Sequence, residues 1–213
     1  MPIDLCINPL QIAVSTGILP PELATLLATQ RAEEPETPVQ LIATTEEDQL
    51  QGLEDGRYCL GLLLSMNKMP ASRRALALWQ DELAIALPFD SPLLACAEVP
   101  LIEAVHYPLI MWNKHCCAPL SEQIDSLMTI PASPLNVVDR VKSFEMMAVL
   151  VAAGYGIGFA TRSRIACSRK LEIVMRPLAN GPHQVTTFLT LPPHPAPAAV
   201  ERLIQRAQAI TPH

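Results

Sequence analysis

Between Leu10 and Leu64, short apolar runs alternate with stretches patterned for helix, and this order constrains the fold more than any other feature of the chain. Leu10-Gln11-Ile12-Ala13-Val14 carries its large residues at period two, the mark of a strand with one face on a core. Ser15-Thr16-Gly17 breaks it. A helix can begin at Pro20 or Pro21, because proline suits the first turn, where its missing N–H has no intrahelical partner; Leu23, Leu26, Leu27 and Gln30 trace one side. Pro35 and Pro38 end it. Val39 to Ala43 reads as a second strand, Glu46 to Glu54 as a second helix closed by Asp55-Gly56, and Cys59 to Leu64 as an almost wholly apolar third strand. Strands joined by helices that can cover both faces predict a mainly parallel sheet with right-handed crossovers.

After Met66 the pattern loosens. Leu76 to Leu78 and Glu82 to Leu87 read as two separate strands, interrupted at Pro88 and Pro92. A second series follows, with Val99 to Ala104 as a turn or short helix, Tyr107 to Trp112 as a strand, Ser121 to Met128 as a helix and Asn136 to Val138 as a strand. The clearest helix runs from Ser143 to a glycine stop at Gly154 and leads into a strand from Ile157 to Ala160. Leu171 to Arg176 and Val185 to Leu191 read as strands, and Pro197 to Ile210 as a closing helix. The expected fold class is α/β, with two Rossmann-like subdomains joined by two crossover strands. Subdomain I takes 10–87 plus 190–213, and subdomain II takes 88–189.

A chain of 213 residues that is 50% hydrophobic and 17% charged can bury a substantial core and is too apolar for global disorder. Its 15 Lys and Arg against 21 Asp and Glu give a net charge of -6, which lacks the basic excess that attraction to nucleic-acid phosphates requires. DNA binding by this chain alone is therefore not expected. The six cysteines are too sparse for a disulfide scaffold and lack paired metal-ligand spacing, so reduced thiols and a cytoplasmic location are the expectation. Met1 to Pro9 has no basic stretch followed by an apolar run, and no window reaches the ~18 to 20 apolar residues of a membrane span, so no membrane partner is expected.

Where two α/β modules meet, strand C-termini and helix N-termini face a common cleft, whose exposed N–H groups favour an anion. Ser15 and Thr16 end the first strand and Thr45 the second; each hydroxyl could bind a small carboxylate or cap its own turn. Asn113 follows the strand ending at Trp112, while Asp139, Arg140 and Ser143 are expected between a strand and a helix N-terminus. Arg140 could pair with an anionic ligand or with Asp139 at the surface. Thr161, beyond the glycine strand, is a further candidate. Gly154-x-Gly156-x-Gly158 is not a dinucleotide loop, since Phe159 stands where glycine would be needed and the glycines lead from helix to strand; a left-handed helix cap fits better. His115-Cys116-Cys117 lacks a complete ligand set and reads as loop thiols with a histidine. No nucleophile elbow, zincin motif or phosphate loop is present, so no catalytic residue, metal or cofactor is expected.

The ordered segments Leu10 to Thr16, Leu50-x-x-Leu53-x-x-Gly56-Arg57, Leu83 to Leu94 with Pro92-Leu93, and Val151-Ala152-Ala153-Gly154-Tyr155-Gly156-Ile157-Gly158 together resemble the effector-binding domain of LysR-type transcriptional regulators. The resemblance spans Leu10 to about Ile210. It implies a type 2 periplasmic-binding-protein-like fold, a small anionic effector in the cleft, and a homo-oligomer, dimer or tetramer. In that oligomer the helix Leu23 to Gln30 and the second strand of one subunit would meet the second module of another. Two positions depart from the family pattern: Cys59 replaces an acidic residue, and Ala160-Thr161 replaces Leu-Pro. Such regulators read DNA through an N-terminal winged helix-turn-helix, which nothing before Leu10 could supply. A two-lobed solute-binding protein for transport is the alternative on the same architecture.

Overall fold

Three parallel strands form the base of the first half: β1 (Leu10–Ser15) lies between β2 (Val39–Thr44) and β3 (Leu60–Ser65), with Val14 opposite Ala43 and Ile12 opposite Leu60. The computed structural model describes residues 9–15, 19–67, 69, 74–115, 118–128 and 134–210; Thr16, Cys116 and Cys117 lie outside them. The period-two alternation in β1 divides its side chains between two packings. Ile12 and Val14 pack with Leu23 and Leu26 of α1 (Glu22–Glu33), and Ala13 packs with Leu53 of α2 (Glu46–Glu54) and with Tyr58. Gln49 fixes α2 against the sheet. Wholly buried, it donates through Nε2 to the carbonyls of Ala13 and Leu62, 3.0 Å each, which answers the desolvation of its amide.

β4 (Ala75–Pro88) is one strand of 14 residues where the sequence suggested two. The reason is a register shift between Ala77 and Trp79, a bulge that breaks the visible alternation without ending the strand. Its first part, Ala75 to Glu82, pairs antiparallel with β9 (Gln184–Thr190). Its last part, Leu83 to Pro88, pairs antiparallel with β7 (Ile157–Thr161) and β8 (Ile173–Pro177). The resulting sheet runs β2-β1-β3-β9-β4-β7-β5-β6, with β8 paired to β4. It is mixed and not mainly parallel. Parallel neighbours need a long crossover, which the helices supply within each half, whereas β4 and β9 enter the sheet without one and run antiparallel to their neighbours.

The second half builds its parallel core from β5 (Leu109–Trp112), flanked by β6 (Val137–Val141) and β7. Around it lie α3 (Leu101–Ala104), α4 (Ala118–Met128), α5 (Phe144–Ala152) and α6 (Arg162–Ala166). α4 starts earlier than the sequence suggested. α6 was not anticipated, because a five-residue helix with Ile165 as its one buried residue leaves no periodic trace. Trp112, fully buried, donates its indole N–H to the Phe159 carbonyl at 2.7 Å. On the first half, α7 (Ala198–Ala209) packs Val200, Leu203 and Ala207 into the core, and Trp79 donates to the Ala207 carbonyl.

The glycine run after α5 is a helix stop, as its order in the sequence suggested, and it is also a packing device, which the sequence did not show. Gly154 has φ +77, Tyr155 N donates to Leu150 O at 3.0 Å, and Gly154 N donates to Val151 O at 2.9 Å, the paired bonds of a Schellman cap. A Cβ on Gly156 would stand 2.4 Å from the Pro108 carbonyl oxygen, so this position admits only glycine without backbone movement.

Candidate functional site

Because β1, β2 and β3 run parallel, Ser15, Thr44 and Ser65 end together; Trp112, Val141 and Thr161 end together in the second half. Residues from both sets of ends line shared cavities, so the strand ends face one cleft. One cavity, about 330 Å³, lies between the start of α2 (Thr45, Glu46, Glu47, Leu50) and Lys114, His115 and Ala118 at the start of α4. A second, about 270 Å³, lies between Val14, Leu19, Leu41 and Ala43 on one side and Lys142, Ser143, Glu145 and Arg164 on the other.

Ser15 is 4% exposed, and its hydroxyl is the one buried side-chain oxygen or nitrogen among the described residues without a hydrogen-bond partner. Burying a hydroxyl unpaired costs about 1–3 kcal/mol. Ser15 alternates with Val14 and therefore lies on the Ala13 and α2 side of the sheet. Thr45 caps α2, its oxygen accepting from Asp48 N at 3.1 Å, and its hydroxyl proton stays available to a ligand. Thr44 donates to Asp48, Tyr58 OH donates to it at 2.8 Å and Arg57 at 3.0 Å. These bonds, that of Thr44 foremost, hold the Asp48 carboxyl down at about 2. Asp48 is thereby consumed within the first half, and the strand-to-helix turn that carries Thr45 is held from both sides.

Across the cleft, Asn113 Oδ1 accepts from His115 N at 3.0 Å and shapes the turn into α4. Ser143 caps α5, accepting from Met146 N, and lines the second cavity. Thr161 is buried at the end of β7, beside Pro20, Leu64 and Asp81, and makes no capping bond to α6. Asp139 and Arg140 depart from expectation, for they lie inside β6 and not between strand and helix. β6 is the edge of the sheet, where polar residues can occupy a strand without burial. Arg140 is held by Asp125 at 3.1 Å and by the Trp112 carbonyl at 3.1 Å, while Asp139 accepts from Arg140 N. The Arg140 guanidinium thus braces β5 against α4. Thr16 and the Cys116-Cys117 pair fall outside the described residues. Among the described residues no group of three or more His, Cys, Asp or Glu could hold a metal ion.

Sequence reasoning missed Gln123, which links the two halves. From α4 its Oε1 accepts from Met66 N at 2.5 Å, and its Nε2 donates to Ser65 Oγ at 3.0 Å. It also missed Lys142 and Arg164. Lys142 was within reach, since it immediately precedes the Ser143 cap; Arg164, on the unanticipated α6, gave no signal.

The family model for the LysR substrate binding domain matches residues 8–211. The chain belongs to that family. The LysR fold is shared by solved structures: the effector binding domain of QuiR in complex with shikimate has a TM-score of 0.79 at 16% identity, covering 94% of this chain and 95% of its own. The regulatory domain of Synechocystis PCC6803 CcmR in complex with 2-PG gives 0.79 at 16% identity, covering 94% and 96%. These likenesses establish the periplasmic-binding-protein-like α/β fold. In sequence, a "Probable cat1 operon transcriptional activator" of Acinetobacter lwoffii is 25% identical over 142 residues, which is 66% of this chain and 45% of the relative. The chain thus matches less than half the length of that LysR relative.

Proposed function

We propose that this chain is the effector-binding and oligomerisation portion of a LysR-type transcription regulator, and that it works in the cell interior without catalysis. A small anionic metabolite would bind between two modules, 10–87 with 190–213 and 88–189, hinged on β4 and β9. The single observation that carries the reading is Ser15, a buried hydroxyl without a partner at the cleft end of β1. Thr45 and Asn113 offer further polar groups on the same side, with Thr16, Ser143 and Thr161 as the remaining candidates. Asp139 and Arg140 belong in a supporting role, Arg140 by fixing the Trp112 to Asn113 turn through the Trp112 carbonyl. That QuiR is solved with shikimate and CcmR with 2-PG supports a small polar effector. Binding would shift the population of module orientations and, through a homo-oligomer, a separate DNA-reading segment of the whole regulator.

The test is a thermal-shift screen of small carboxylates, aromatic acids and amino acids on the wild-type chain and on Thr16→Val and Thr45→Val. A ligand that raises Tm in the wild type and loses that effect in either variant is expected. Stabilisation retained in both would remove the two threonines from the site, and tight, sequence-selective DNA binding by this chain alone would contradict the effector-portion reading.

A further inference from the structure

β4 carries the sheet from one half to the other, its first part pairing with β9 and its last part with β7 and β8. Two bodies joined through a strand can turn about it unless a contact away from the strand holds them. Such a contact exists between β3 and α4. Leu64 of β3 is buried in the apolar core of the second half, with Leu120 and Ile124 of α4, and Met66 packs against the same core. Leu120, Ile124 and Met128 form the buried stripe of α4, and Gln123 stands half-buried at its margin.

From that margin Gln123 makes two bonds to the other half. Its Oε1 accepts from Met66 N at 2.5 Å, and its Nε2 donates to Ser65 Oγ at 3.0 Å. Ser65 is 3% exposed, and its hydroxyl donates to Asn67 O at 3.0 Å while accepting from Asn67 N at 3.1 Å. The turn leaving β3 is thereby closed on itself and presents α4 with one fixed donor and one fixed acceptor. A two-point contact of this kind sets orientation as well as distance. With both bonds made, the cavity between the starts of α2 and α4 measures about 330 Å³, within the ~300–1,000 Å³ of small-molecule sites.

We infer that Gln123 is a positioning residue of the effector site: its two bonds to the β3 turn hold the halves at the separation at which the cleft accepts an effector. That the cleft receives an effector is the reading proposed above; that the halves are held is a property of the chain alone. Apparent affinity falls with the fraction of molecules in the competent geometry, so loss of the latch would weaken every ligand that touches both halves by the same factor. A second bond between the halves serves as a control. On α6, Ser163 N donates to Asp81 Oδ2 at 3.3 Å, and Ser163 Oγ donates to the same carboxylate. Asp81 lies two residues before Leu83, where β4 passes from β9 to β7, so this bond sits at the crossing and has little leverage on the cleft.

Residual dipolar couplings of the backbone amides, measured on the full chain without effector, report whether the two halves keep one relative orientation. A single alignment tensor is expected to fit both halves of the wild type. Gln123→Met, which keeps the length of the side chain without its polar atoms, and Gln123→Ala should each lose the single-tensor fit and require one tensor per half. Backbone chemical shifts within each half should stay those of the wild type, which shows that both halves remain folded. Ser163→Ala should keep the single tensor. Two tensors in the wild type, a single tensor in both Gln123 variants, or separate tensors in Ser163→Ala would overturn the inference. Because no effector enters the measurement, its outcome is independent of the thermal-shift screen, and either reading can fail while the other stands.

Discussion

At the level of single residues, Ser15 sets stability against function. Its hydroxyl is buried without a partner, so Ser15→Ala removes a desolvated group and leaves a small, tolerated void. The variant is expected to be more stable than wild type by about 1 kcal/mol, read from the denaturation midpoint at constant slope, and to bind the effector found by screening at least tenfold more weakly. A variant that loses stability would show that the hydroxyl supports the fold. The polar candidates were legible in sequence wherever a strand visibly ends: Ser15, Thr45, Asn113 and Ser143 all stand at or next to such ends. Asp139 and Arg140 were misplaced, because β6 continues through two polar residues, as an edge strand can. The bond from Gln123 to Ser65 spans 58 residues, and no local pattern encodes a contact of that range.

Among the elements, the pairing of α1 with α7 depends on charge. Glu34, just past α1, accepts from Arg202 and from Arg206, and these hydrogen bonds hold its carboxyl at about 2, below its ordinary 4.5. A carboxyl depressed in the folded state stabilises that state above pH 4.5, and the contribution is lost as pH falls toward 2. Glu34→Gln should therefore lower Tm at pH 7 and narrow its gap to wild type between pH 4.5 and 2; a gap independent of pH would remove Glu34 as the titrating group. A second dependence lies at α4, where Gln123 spans from one half to the other. Gln123→Ala should cost about 1 kcal/mol, the worth of an ordinary hydrogen bond, and speed amide exchange at Met66, whose N–H it covers. Unchanged exchange at Met66 would show that the link between the halves lies elsewhere. Most elements could be read from periodicity, since α1, α2 and β1 to β3 carry plain apolar patterns. β4 could not, because its bulge reverses the facing of side chains at midstrand.

At the scale of the whole molecule, β2 and β6 stand at the two ends of the strand order among the described residues, and exposed apolar residues lie near them: Leu41 on β2, Val138 on β6, and Met146 and Val149 on α5. Free edges and exposed apolar side chains are features that a protein covers or pays for in aggregation. Contact of α1 and β2 of one subunit with the second half of another would cover both at once, and twofold symmetry would form that contact twice in a closed dimer. Sedimentation across the micromolar range is expected to show a concentration-dependent rise in mass toward the dimer. Val149→Glu, on an exposed face of α5, should shift the population toward monomer without lowering Tm of the isolated subunit. A strictly monomeric wild type would dissociate effector binding from assembly. Closure of the cleft would then have to act within one subunit, through β4, whose two parts pair in the two halves.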